Sequence, residues 1–329
     1  MRKSVGILLV FLLFQIISSS SALLIAGVSM KDVQEMSPEM QQTFNVTLCY
    51  AMLVGNVIMM GVLWVLKYVR KNPFRSFSID ETEENCKTSE SFGNTIPSHQ
   101  NTSEQVSETV STTQDVTGQI SETIQTTQDV TEQIADTAVV KSCKSVHLGL
   151  MSYIWAVAAF LLFAFSLSFV LTPMNLNDGG STSLFESVKT NPLCLLLLCF
   201  VGPLGEELVF REGIMRQLLV SRHSPIVAAV GSSLMFALFH GNLAQGVPAF
   251  LSGIMLGYLF LQSGDIRLSL AAHIFNNMLG VTLMFFPEHE SVVTEMSSTA
   301  NLMIAFVMVT LSMGCCKMMT RKIEHDCEQ

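Results

Sequence analysis

The stretch Leu193–Val220 is apolar over a length that crosses a bilayer, yet its middle reads GPLGEELVFREG, from Gly202 to Gly213, and holds four ionisable side chains. In lipid every backbone N–H and C=O must find its partner within protein. An apolar run of about 20 residues therefore selects an α-helix. Charge at that depth is costly unless it faces other protein groups or enclosed water, so Glu206, Glu207, Arg211 and Glu212 require partners on neighbouring helices. Two later apolar segments supply them: Ile226–His240 ends on a histidine, and Leu268–Phe286 contains His273 with Asn277 one helical turn beyond.

The same reading extends along the chain. Further candidate spans are Leu48–Val69, Leu148–Leu171, Val247–Leu261 and Leu302–Met313. Only 14% of the residues are charged and 49% are hydrophobic, whereas a soluble domain carries about 25% charged residues. The expected fold is all-α, a polytopic membrane helical bundle of seven or eight transmembrane helices. The count turns on residues 1–28, where Arg2 and Lys3 precede an apolar run that ends in the small residues Ser18–Ala22. That pattern fits a cleavable signal peptide, and continued through Leu23–Val28 it fits a first transmembrane helix equally well. The remaining organisation is a helix over 48–69, a loop over 70–147, a membrane-embedded core over 148–319 and a tail over 320–329. Pro248 and the pair Gly253 and Gly257 fit a helix packed closely against its neighbours.

Lys67, Arg70, Lys71, Arg75, Lys141, Lys144, Arg216, Arg222, Arg267, Lys317, Arg321 and Lys322 all fall on one side of an eight-span arrangement. The excess of Lys and Arg on cytoplasmic loops then puts both termini and the 70–147 loop in the cytosol. That loop differs in kind from the rest. Residues 71–142 hold twelve Asp or Glu against four Lys or Arg, and Thr112–Val116 recurs as Thr126–Val130 at a 14-residue period. Such an acidic, Thr-rich segment reads as a largely disordered insert that offers itself to a protein partner. Two glycosylation sequons, at Asn45 and Asn101, bear on the topology. No basic patch with interleaved aromatics points to nucleic acid. The chain is expected to be a multi-pass protein of the endoplasmic reticulum or plasma membrane.

The ionisable groups suggest chemistry. On an α-helix Glu207 and Arg211 share a face and can pair, while Glu206 points about 100° away. Phe236 and His240 share a face of their helix, as do His273 and Asn277. A carboxylate and imidazole that can take a proton from water, with neutral donors that can steady an oxyanion, make up the parts of a hydrolytic centre. Glu206, His240 and His273 are also a plausible zinc set, although the helical HExxH arrangement is missing. A structural ion-pair network is the bland alternative. With rigid vertical helices His240 and His273 would sit near opposite ends of their spans.

Glu206-Glu207-Leu208-Val209-Phe210-Arg211 resembles the EExxxR signature of the CAAX prenyl protease and bacteriocin-processing family of intramembrane endopeptidases. Phe236–His240 is similar to its FxxxH motif and His273–Asn277 to its HxxxN motif, the likeness spanning about residues 190–285. The resemblance implies hydrolysis of a peptide bond in a membrane-associated substrate; a prenylated CAAX protein is one such substrate within the family, whose other members serve different processing roles. Glu206 and His240 would activate water, His273 and Asn277 would hold the oxyanion, and Glu207, Arg211 and Phe236 would support the site. It implies no metal and no other cofactor, zinc being the alternative. A non-catalytic scaffold or chaperone of the same fold is the competing reading. A transporter ranks last, since the charged motifs show no inverted repeat.

Overall fold

The computed structural model describes residues 2–28, 36–75, 148–286 and 288–328, and within them all regular secondary structure is helical. The helices are α1 (Arg2–Ala26), α2 (Pro38–Val65), α3 (Leu150–Leu171), α4 (Ser181–Val188), α5 (Pro192–Val220), α6 (Pro225–Leu238), α7 (Leu243–Ser263), α8 (Arg267–Leu283), α9 (Glu288–Glu295) and α10 (Ser298–Glu328). Three of them start on one device, a capping side chain followed by proline. Ser37-Pro38 opens α2, Asn191-Pro192 opens α5 and Ser224-Pro225 opens α6; each cap oxygen accepts a backbone N–H of the first turn, and the proline lacks an N–H where none is needed. The acidic insert and the Asn101 sequon lie outside the described residues.

Among the described residues, α1, α2, α3, α5, α7 and α10 are long and apolar enough to cross a membrane. The chain is a multi-pass membrane bundle. α6 and α8, expected as full spans, have 14 and 17 residues, a rise of roughly 21 and 26 Å against a hydrocarbon core of about 30 Å. α10 runs unbroken to Glu328, and Met319 and Ile323 still pack against α3, so the tail suggested from 320 is part of that helix. Lipid solvates apolar side chains as well as protein does, so the helices are held by close packing and internal hydrogen bonds. α5 is the centre: half of its apolar window is buried, against 17–33% in the other five long helices. α1 and α2 pack together on one side of it and α6 and α7 on another, while α3 and α10 pair beyond α7 and α8.

The turn from α7 to α8 is sunk into protein. Gly264 takes a left-handed conformation (φ 67°) and ends α7, and Ser263, Asp265, Ile266 and Leu268 have no exposed surface. Asp265 caps the turn through the Arg267 backbone and guanidinium at 2.7 and 2.9 Å, and the segment that follows α2 covers it, with Ile266 N–H bonding the Pro73 carbonyl at 3.5 Å. α8 therefore begins inside the bundle, and this shortened start carries His273 to the depth of the α5 charges. The Asn45 sequon is packed into the helical bundle. It lies within α2, buried, with its amide nitrogen donating to Ser187 Oγ at 3.0 Å.

Candidate active site

α5 is not a uniform α-helix. It widens to π geometry twice, over Leu197–Val201 and over Glu207–Met215, and π turns inside longer helices are frequent at functional sites. The first has a local cause. Pro203 has no N–H, and the Gly202 N–H turns back five residues to the Leu197 carbonyl, leaving the Leu198 carbonyl without its π-type partner. A carbonyl in a membrane interior must be satisfied from elsewhere. Asn277 of α8 does so, donating Nδ2–H to Leu198 O at 2.9 Å.

The second π segment carries the charges. Glu207 and Arg211 are 0% and 1% exposed and lie 3.2 Å apart, Oε1 to Nη1. Arg211 also donates to the Gly253 carbonyl at 3.2 Å and lies over the Phe236 ring, 4.7 Å from its centroid. Gly253 can offer that carbonyl because it lets α7 approach closely; a Cβ there would stand 2.9 Å from the Ser233 Cβ. The Phe210 carbonyl, also in the π segment, accepts Ser232 Oγ at 2.6 Å.

His273 joins the two glutamates. Its Nδ1 is 3.0 Å from Glu207 Oε1 and its Nε2 is 3.5 Å from Glu206 Oε2. Glu206, expected to face a different space from Glu207, thus reaches the opposite nitrogen of one shared ring. A proton on Nε2 or on Glu206 makes the longer contact attractive. The two carboxylates differ in access: the Glu206 side chain is 29% exposed and that of Glu207 is sealed. Glu206 is the acid that an incoming water or substrate can meet.

His240 lies just past the end of α6. Its Nδ1 is 2.9 Å from the Phe236 carbonyl, its backbone carbonyl accepts from the Asn242 side-chain amide at 3.2 Å, and its ring stands edge-on to Phe236 at 4.8 Å. The other side of the matter is the Phe236–His273 contact, also edge-on, at 5.9 Å. Both imidazoles therefore rest on one aromatic ring, which brings them closer than opposite ends of vertical spans would be. With Nδ1–H given to a carbonyl, Nε2 of neutral His240 keeps its lone pair. Among the described residues no three His, Cys, Asp or Glu side chains form a set able to hold a metal ion.

Sequence reasoning missed three contributors. The Gly253 carbonyl was legible only as a packing glycine, Pro203 only as a residue of the motif, and Glu212 only as one more charge. Glu212 has no exposed side-chain surface and accepts from the Arg70 backbone at 3.1 Å, from Arg70 Nε and Nη2 at 2.7 and 2.9 Å, and from Arg216 Nε at 2.9 Å. It fastens the segment after α2 to α5, and that segment covers the buried α7–α8 turn.

Residues 189–279 match the family model described as Type II CAAX prenyl endopeptidase Rce1-like. Over 143 residues the chain is 22% identical to "Putative membrane peptidase YdiL" of Bacillus subtilis (strain 168), a match that takes in 42% of this chain. The chain spans 58% of that relative's length. No solved structure matches it. The matched segment contains Glu206, Glu207, Arg211, Phe236, His240, His273 and Asn277 together, so the helical core over residues 189–279 is similar to the type II CAAX prenyl endopeptidase Rce1-like family.

Proposed function

We propose that the protein is an intramembrane endopeptidase that hydrolyses a peptide bond of a membrane-associated, CAAX-type substrate with a water activated by Glu206 and His240. The observation that carries this reading is the pairing of an accessible Glu206 with a sealed group of Glu207, Arg211 and His273. With His273 protonated, these four side chains sum to no net charge, as a low-dielectric site requires. Glu206 then takes a proton as the water oxygen bonds to the scissile carbonyl carbon, and the unprotonated Nε2 of His240 orients that water. Charge builds on the carbonyl oxygen, where His273 Nε2–H and the second N–H of Asn277 are the donors. Collapse breaks the C–N bond, and the proton on Glu206 passes to the leaving amine.

Glu207, Arg211 and Phe236 act by holding His273 and the α5 backbone, and the chemistry needs no metal. The substrate is a membrane-associated protein or peptide whose lipid tail lies among apolar helices. The positive-inside pattern puts the basic loops and the acidic insert on the cytosolic side of the endoplasmic reticulum or plasma membrane, where the insert would engage a protein partner. Purified protein in lipid, offered matched prenylated and unmodified peptides, tests this by product mass. Release of a short C-terminal fragment from the prenylated peptide, insensitive to chelators, is the expected result. Cleavage of neither peptide, or chelator inhibition reversed by zinc, would overturn the reading in its substrate or its mechanism respectively.

A further inference from the structure

α1 lies outside the matched segment, yet it is built into the rear wall of the site. Its buried residues Ile7, Phe11, Ser18 and Ala22 fall on one helical stripe, 5% exposed or less, while Leu9, Leu13 and Ile16 on the other side are 53–61% exposed and face outward. Phe11 stands edge-on to Phe210 at 5.6 Å and to Phe239 at 4.8 Å. Phe210 precedes Arg211 and Phe239 precedes His240.

Three glycines mark the fit. A Cβ on Gly213, in the charged motif, would stand 3.1 Å from Ile7 Cδ1; one on Gly55 of α2 would collide with Ser18 Oγ; one on Gly6 would meet the Tyr68 hydroxyl at 2.5 Å. Small residues that let backbones approach are how helices associate where lipid competes for apolar contact. A leader removed at the Ser18–Ala22 run would uncover the Phe210–Phe239 pair and leave the Gly55 and Gly213 faces without partners.

We propose that α1 is a permanent buttress of the active site and that Phe11 is a positioning residue, acting through Phe239 on His240 and through Phe210 on Arg211. The kinetic part rests on the endopeptidase reading; the retention of α1 does not. Intact mass of the full protein purified from membranes decides retention: a mass that includes Ile7–Ala22 is expected, and one that starts beyond Ala22 overturns the proposal. For the positioning role, Phe11→Ala, Phe11→Leu and Leu9→Ala are compared at equal folded amounts. A small misplacement of catalytic groups lowers turnover more than binding. Phe11→Ala is expected to lower kcat about tenfold with KM within about threefold, Phe11→Leu to recover most of it, and Leu9→Ala to match wild type. Unchanged kcat in folded Phe11→Ala, or equal losses in Leu9→Ala, would overturn the role of Phe11. Wild-type protein inactive on every peptide would remove the endopeptidase reading, and with it the positioning role, while the mass still decides retention.

Discussion

Replacing Arg211 by methionine should destabilise the fold far more than replacing it together with its partner. Arg211 and Glu207 are 1% and 0% exposed at 3.2 Å, so Arg211→Met leaves a carboxylate sealed in the bundle with only His273 to answer it. Breaking a buried pair by removing one partner costs about 3–5 kcal/mol. The lost hydrogen bond to the Gly253 carbonyl and the lost contact over Phe236 place Arg211→Met toward the upper part of that range. At roughly 2–4 °C per kcal/mol for a bundle of this size, a fall in Tm on the order of 10 °C is expected. The double variant Glu207→Gln/Arg211→Met has no buried charge to strand and should recover to within about 2 kcal/mol of wild type. Thermal unfolding in lipid nanodiscs, followed by intrinsic fluorescence, measures all three. A single variant within about 3 °C of wild type, or a double variant no better than the single, would refute the charge accounting.

Further outcomes follow from other contacts. Glu212→Ala should free the segment after α2, raising amide exchange or protease cleavage across Leu66–Arg75 before global unfolding, because one buried carboxylate holds it through Arg70. Pro203→Ala supplies an N–H that competes with Asn277 for the Leu198 carbonyl; turnover should fall by about 10²-fold while Tm holds or rises, since proline is the poorest helix former. Unchanged turnover would separate Asn277 from the reaction. Asp178 caps α4, and N–H groups, that of Gly180 first and then Thr182, hold its carboxyl below the usual carboxylate range. A depressed folded value means that the cap contributes fully above the ordinary carboxylate pKa and is lost as pH falls through the lowered one. Protection of the Ser181–Val188 amides, measured relative to their intrinsic exchange at each pH, should therefore fall in acid, and Asp178→Asn should flatten that pH dependence.

The bundle was largely legible because a membrane leaves a chain few options, and apolar length alone located the helices. The ends of α6 and α8 were not, since hydropathy reports apolar length and cannot tell a turn wrapped in protein from one in water. Ser263–Leu268 is such a turn. The motif residues could be picked out singly, but α-helical periodicity set Glu206 and Glu207 apart, whereas His273 enters with a nitrogen for each. Pro203 carried the missing signal: a proline inside an apolar run leaves a carbonyl without its partner, and the search for a donor leads to Asn277. The two readings of residues 1–28 look alike in hydropathy, and the proposal that α1 is retained rests on the side-chain contacts of Ile7, Phe11 and Ser18.

Turnover of a prenylated peptide by Glu206→Ala, in the same lipid and at the same folded amount as wild type, bears most directly on the hydrolytic centre. Glu206 is partly exposed and its one described ion pair is the 3.5 Å contact with His273, so its loss should leave Tm within a few degrees while the rate falls by about 10³-fold or more. His240→Ala should fall alongside it. Undiminished cleavage by folded Glu206→Ala would contradict the account at its core.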